Sequence, residues 1–227
     1  MASFDVAADA SAAFGALRSG GVAIVPNTVG YSILGGSAPA LRRIFEAKRR
    51  DGAKRNAMVA NMAIHRELHA CSARARDIVH AIVEDYDLPL GAIAPCRLDH
   101  AMLRKLDDAT IASSTKDGTL VMLLNAGRLH AALTDLSHQA EFPLFGSSAN
   151  LSLSGTKFAV EQIEPEIRAV ADIVIDHGLQ KFHRYAMSST LLDVERCEIV
   201  RFGSCYEDIA YVLRRHFDVA LPPRPQR

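Results

Sequence analysis

The stretch "GGVAIVPNTVGYSI", Gly20 to Ile33, decides how the whole chain is read. Upstream of it, apolar and small residues recur at helical spacing through Phe14 and Leu17, and Gly20 and Gly21 stop the pattern as glycines do at helix C-termini. Val22 to Pro26 follows at once, a β-branched run closed by proline that reads as a buried strand. A helix that feeds directly into a buried strand predicts a layered α/β chain, because apolar strands need helices to cover them.

Working outward, the alternation continues. A helix is predicted from Ala38 to Lys48, with Leu41, Ile44 and Phe45 on one face, and "AMVAN" after it is strand-like. The stripe Ile78, Val79, Ile82, Val83 predicts a helix over Ser72 to Tyr86. "TLVMLLN", Thr119 to Asn125, reads as a strand buried on both faces. A helix through "GRLHAALTDLSHQA" leads into the strand "FPLFG", then a helix over Val160 to Ala169, strands at "DIVID", "SSTLLDV" and "EIVRFG", and a last helix "YEDIAYVLRRHF". There is no internal repeat and no Pro/Gly/Ser-rich linker, so residues 1–218 are expected to form one domain. Residues 219–227, ending in the proline-rich "LPPRPQR", are expected to be a flexible tail.

Composition narrows the function classes. The 227 residues are 49% hydrophobic and 23% charged, which argues against extended disorder. Lys plus Arg (26) equals Asp plus Glu (26), so nucleic-acid binding would need a local basic patch. Cys71, Cys96, Cys197 and Cys205 are scattered, with no C-x-x-C pair, and point to a reducing cytoplasm. The N-terminal segment, with Asp5 and Asp9, does not read as a signal peptide, and no apolar run is long enough to span a bilayer.

Several segments could carry chemistry. In "FPLFGSSANLSLSG", Phe142 to Gly155, an apolar run stops in small polar residues, which either turn the chain or hold anionic oxygens at the end of a strand. Lys48, Arg49 and Arg50, with Lys54 and Arg55 behind them, read by themselves as a solvated helix end. A K-x-R pair can also neutralise a polyphosphate, Arg by its bidentate fork and Lys as a point charge. "SSTLLD" and "VRFG" again place polar groups at strand ends.

Taken in order, these segments resemble the YrdC/YciO-like family from about Ser19 to Gly203. The family's strand followed by P-T-D-T-V-Y-G-L aligns without gaps, keeping Pro26, Tyr31 and an aliphatic Ile33. Its K-x-R is matched by Lys48 and Arg50, and its S-x-N by Ser148 and Asn150. The later D-x-V-x-D-x-G, S-T-x-x-D and R-x-G patterns are matched by Asp172, Asp176, Gly178, Ser189, Thr190, Asp193, Arg201 and Gly203. The resemblance implies a single three-layer α/β domain with a twisted mixed sheet flanked by helices, and a deep, positively lined cleft. It implies a nucleotidyltransferase that makes a carbamoyl-adenylate, L-threonylcarbamoyl-AMP, from ATP, bicarbonate and L-threonine for a tRNA modification, with Mg²⁺ accompanying ATP. Lys48 and Arg50 would hold phosphates, Ser148, Asn150, Ser189, Thr190 and Arg201 the nucleotide, and Tyr31, Asn27 and Thr28 the amino acid. A tRNA or double-stranded RNA is the implied macromolecular partner, and a nucleotide- or RNA-binding relative without synthase activity is the alternative reading.

The chain departs from the family pattern at three places, and its "GYS" in place of V-Y-G is closer to the YciO branch. P-T-D-T becomes Pro26, Asn27, Thr28, Val29; the threonine of P-G-P-x-T falls at Ile93; and the arginine of the family's v-R-x-P strand falls near Leu123. His65 and His69, spaced i, i+4, could share a metal on one helix face, but with no third ligand evident they read as a surface pair. "SSTK", Ser113 to Lys116, reads as a polar loop, and Asp107-Asp108 as an exposed acidic pair.

Overall fold

The structure is a computed structural model and describes residues 4–49 and 55–225. In chain order the elements are α1 (Val6–Arg18), β1 (Val22–Asn27), β2 (Gly30–Gly35), α2 (Ala38–Ala47), β3 (Ala57–Val59), α3 (Met62–Leu68) and α4 (Ala73–His80). They continue with β4 (Leu90–Pro95), α5 (Ala101–Arg104), α6 (Asp108–Ser114), β5 (Thr115–Lys116), β6 (Thr119–Leu124) and α7 (Arg128–Gln139). The remainder is β7 (Phe145–Ser148), α8 (Pro165–Arg168), β8 (Ile173–Val174), β9 (Leu191–Asp193), β10 (Glu198–Arg201) and α9 (Tyr206–Phe217).

Local chemistry accounts for the opening elements. Asp5 caps α1 by accepting from the Ala8 N–H, and Gly20 at φ 84° ends the helix. Gly21 has no room for a side chain, since a Cβ there would lie 2.8 Å from the Ala16 carbonyl oxygen. β1 extends through Pro26 to Asn27, and Thr28-Val29 turns it into β2 as a tight hairpin. Ser37 caps α2, whose first turn holds Pro39 and whose inner face buries Ala40, Leu41 and Ile44.

The strands form one mixed sheet in the order β10-β9-β4-β6-β3-β7-β2-β1-β8, with β5 pairing β6. β1/β8, β3/β6 and β4/β9 are parallel and the other pairs antiparallel. One face of the sheet is packed by α2, α3, α4, α5 and α9, whose Ile44, Ile64, Ile78, Leu103 and Ile209 join Met58, Met122 and Phe145 in the main core. Each such fully buried aliphatic side chain contributes about 1.5–3 kcal/mol of apolar burial. α1 and α7 cover the other face, packing Phe14, Leu17, Leu129 and Leu133 against Val25, Leu34, Val59 and Leu123. That cover is partial, and the uncovered part of this face becomes the cleft described below.

Some expectations are corrected. β6 is fully buried on one face and partly on the other: Leu120, Met122 and Leu124 enter the main core, Leu123 packs into the second core at the edge of the cleft, and Thr119 and Val121 are half-buried in the cleft floor. The helix expected over Val160 to Ala169 is a 3₁₀ turn at Val160–Gln162 followed by the single turn α8, because Glu164-Pro165 interrupts it. The helix expected over Ser72 to Tyr86 changes at Ala81–Asp85 into a π-helical turn. The tail is not loose over the described residues: Val219 and Leu221 pack on the core, and Arg224 reaches Glu207 (2.7 Å) and the Gly203 carbonyl (2.9 Å).

Candidate active site

A cleft of about 720 Å³ opens over the uncovered face of the sheet. That volume lies within the range of roughly 300–1,000 Å³ usual for small-molecule sites. Its floor is the outward half of each strand's alternation, with Val59, Ile93, Val121 and Leu123 supplying an apolar patch. Gly146 also lines the floor and is bare of necessity, since a Cβ there would sit 2.0 Å from the Ile33 carbonyl oxygen.

At one end of the cleft the Ser148–Asn150 segment is built around Lys48. The Lys48 side chain leaves the C-terminal cap of α2, is 4% exposed, and donates from Nζ to the Ser148 and Asn150 carbonyl oxygens and to Asn150 Oδ1 (3.2 Å). A buried ammonium is tolerated only when its donors are used this way, so the loop's shape and the cation's position fix one another. Ser148 Oγ donates to Asn150 Oδ1, and Asn150 Nδ2 donates to the Leu151 carbonyl (2.7 Å). Ser147 and Ser148 belong to β7 rather than to a turn after it, and Ser148 pairs with Ser32 across the sheet.

Glu164 braces this loop from behind. It accepts from the Leu151 N–H (3.2 Å) and Ser154 Oγ (2.7 Å) and pairs with Lys157 at 2.8 Å. Burial raises its carboxyl, but the hydrogen bonds from Lys157, Ser154 and backbone outweigh that and hold it at about 2.

Across the cleft, Arg201 donates to the Ser189 carbonyl oxygen (2.8 Å). Gly203 lies on the Ser188–Ser189 backbone, and a Cβ there would come within 2.3 Å of the Ser189 carbonyl carbon. The R-x-G spacing therefore lets Arg201 and the Ser188–Ser189 turn pack as one unit. Arg55, Lys116 and Arg196 also line the cleft, against Asp117, Asp193 and Glu195. Among the described residues, Lys48 and Arg201 bring this to five cations against three carboxylates, an anion-attracting field in a chain with zero formal net charge.

The cleft lining brings together Lys48, Ser148, Asn150, Ser189 and Arg201 of the expected residues. Arg50 and Lys54 lie outside the described residues. Thr190 is fully buried and donates to the Ser204 carbonyl (2.9 Å), which ties the Ser189 turn to the chain before α9. Asn27, Thr28 and Tyr31 are not in the lining. Asn27 is buried with Nδ2 on Ser32 Oγ (2.6 Å), and the Thr28 backbone joins Ala126 and Phe182. The Tyr31 ring points to the opposite face because strand alternation gives the cleft to Ser32 instead. Its hydroxyl is shared between Asp176 Oδ1 and the Gly178 carbonyl, both at 2.9 Å, and its own carbonyl accepts from Ala149. Burial, then the bond to Asp176, drives the Tyr31 phenol well above its ordinary value, so it stays protonated and structural.

Lys116, in "SSTK", lines the cleft together with Ser114, so that segment is more than a polar loop. Arg196 and Thr119 gave no motif in the sequence; only the strand order places them here. His65 and His69 are not a surface pair: they are 1% and 2% exposed.

The family model for Sua5, YciO and YrdC, described as "Telomere recombination", matches residues 15–203. The chain belongs to the Sua5/YciO/YrdC family. No curated protein matches its sequence. A hypothetical protein, smu.1377c, from Streptococcus mutans superposes with a TM-score of 0.71 at 21% identity, over 92% of each chain. Sua5 of P. abyssi, in a structure complexed with L-threonine, gives 0.73 at 19% identity, over 96% of this chain and 60% of that one. E. coli YciO gives 0.65 at 16% identity, over 87% and 89%. The chain thus has the length of YciO and smu.1377c and spans about 60% of Sua5, and these likenesses establish the family fold. Among the described residues no helix is long and apolar enough to cross a membrane.

Proposed function

We propose that this family member is an ATP-dependent nucleotidyltransferase that joins a carbamate to AMP, with an amino acid as the source of the carbamate nitrogen. The observation that carries the reading is the Lys48-centred loop facing Arg201 and Ser189 across a cleft of nucleotide size. The amine and bicarbonate give a carbamate and water; a carbamate oxygen attacks the α-phosphorus of ATP, and pyrophosphate leaves. No side-chain nucleophile is needed, and positioning with charge neutralisation supplies the catalysis.

The chain's residues suit that work. Arg201 and Arg55 can fork phosphate oxygens, Lys48 holds its charge directly behind the Ser148–Asn150 loop, and Ser148 Oγ and Asn150 offer hard oxygen and amide groups. Mg²⁺ would enter on the nucleotide, where it screens phosphate charge; Ser148 and Asn150 are the neutral oxygen donors at that end. L-threonine is one acceptor, as the P. abyssi Sua5 complex suggests, but Leu123, Val121 and Ile93 favour an acceptor with an apolar side chain. The tRNA modification and cytoplasmic setting are parts of the same proposal.

The test is incubation with ATP, Mg²⁺, labelled bicarbonate and a panel of amino acids. Pyrophosphate release with formation of a labelled adenylate is expected; none for any amino acid rejects the synthase reading. The apolar floor also favours a second reading, a nucleotide- or RNA-binding relative without synthase activity. In that case RNA affinity would fall steeply with salt and on replacing Arg55, Lys116 and Arg196, and salt-insensitive or absent binding removes it.

A further inference from the structure

Directly behind the cleft floor, on the far face of the sheet, α3 ends in a cluster the proposed reaction does not use. His65 and His69 share one helix face by their i, i+4 spacing, and the extended His69 turns the chain so that Cys71 comes back beside them. Their three ligating atoms lie within 4.8 Å of one another, and Cys71 is 8% exposed. The two Nδ1 atoms are 2.9 Å apart.

The hydrogen bonds fix how this pair is wired. His69 Nε2 faces the Leu120 carbonyl oxygen at 3.2 Å, which can only accept, so His69 carries its proton on Nε2 and turns the Nδ1 lone pair towards His65. A backbone carbonyl on the remote nitrogen is the usual way a metal-binding imidazole is oriented. His65 then donates from Nδ1, and its Nε2 is buried with no partner among the described residues. A cavity of about 350 Å³ bounded by Met62, Arg66, Arg76, Asp77 and His80 reaches His65; Arg66 is paired with Glu84 at 2.7 Å, and Arg76 donates to the Cys71 carbonyl oxygen.

We propose that His65, His69 and Cys71 bind one zinc-class divalent cation beneath the cleft floor. Two imidazole nitrogens and a thiolate are the donor set such an ion takes, with a fourth position left to water. When the ion takes the two Nδ1 lone pairs, the His65 proton moves from Nδ1 to its unpartnered Nε2 and the Cys71 thiol proton leaves to solvent, so each cation bound releases one proton and affinity rises with pH. Because His69 hangs from Leu120, between Thr119 and Val121 of the cleft floor, the ion would brace β6 from behind.

The test uses the full chain carrying C96S and C197S, freed of metal by chelation. Zn²⁺ is titrated against a chromophoric competitor, and Co²⁺ is followed for its thiolate charge-transfer band. One equivalent is expected, with a Co²⁺–thiolate band that C205S leaves in place and C71S abolishes; H69Q should remove the stoichiometric binding. The surface group of Glu67, His100 and His138 is the competing site, and H138A should change nothing. No stoichiometric binding, a missing thiolate band, or binding lost on H138A but kept on C71S overturns the proposal. Should C71S or H69Q fail to fold, the Co²⁺ spectrum with and without C205S still decides.

Discussion

Lys48 is a buried cation around which the loop at one end of the cleft is built. Its ammonium is hydrogen-bonded to the carbonyls that shape the Ser148–Asn150 loop, so Lys48→Met removes a charge and leaves buried acceptors unmet. Unfolding in urea should show a loss of about 1–3 kcal/mol, and calorimetric titration should show weaker ATP binding. A folded K48M that bound ATP as before would take Lys48 out of the site. Leu123 poses the opposite question, an apolar side chain where the family pattern has arginine. Leu123→Arg should move the acceptor preference, read as kcat/KM across the amino-acid panel, towards polar or anionic side chains. An unchanged ranking would mean the floor does not meet the acceptor.

Between elements, stability rests on a few pins that sequence motifs mark without explaining. Glu164 clamps the loop after β7 to α8, and its carboxyl sits at about 2 against an ordinary 4.5. Through that window the unfolded chain binds the proton more readily, so the clamp contributes fully above about pH 4.5 and is lost as pH falls towards 2. Melting curves of wild type and Glu164→Gln should therefore separate above pH 4.5 and converge at the acid end; a constant gap would refute the assignment. Gly203→Ala should cost at least about 2 kcal/mol in chemical denaturation, since its Cβ would overlap the Ser188–Ser189 backbone. The elements legible in the sequence are those with local signals: glycines after α1, the β-branched run of β1, the apolar stripe of α4. β2 carried none, because Gly30-Tyr31-Ser32 lacks a β-branched run and becomes a strand only by pairing with β1 and β7. The burial of His65 and His69 was hidden for a related reason, since a short helix with polar residues shows no stripe and its covering partner, β6, is some 50 residues away.

At the scale of the molecule, the motif order was enough to place the family, and Lys48, Ser148, Asn150, Ser189 and Arg201 do meet in one cleft. Tyr31 and Thr190 match the same motifs yet serve the framework, a distinction that depends on which face of a strand each residue takes. The C-terminal segment is part of that framework. Truncation after Asp218 removes Val219, Leu221 and the Arg224 contacts, and should lower the stability measured in urea by about 1–3 kcal/mol while leaving the cleft intact. A truncated chain as stable as the full one would show the docking is incidental. The pleat of β6 has a different kind of consequence. Leu120, Met122 and Leu124 hold the main core while the half-buried Thr119 and Val121 line the cleft, so replacements at Thr119 and Val121 can reshape the cleft without disturbing that core. The shape of a cleft built on such a sheet can drift across a lineage by single replacements at its half-buried positions, while the residues between them keep the core.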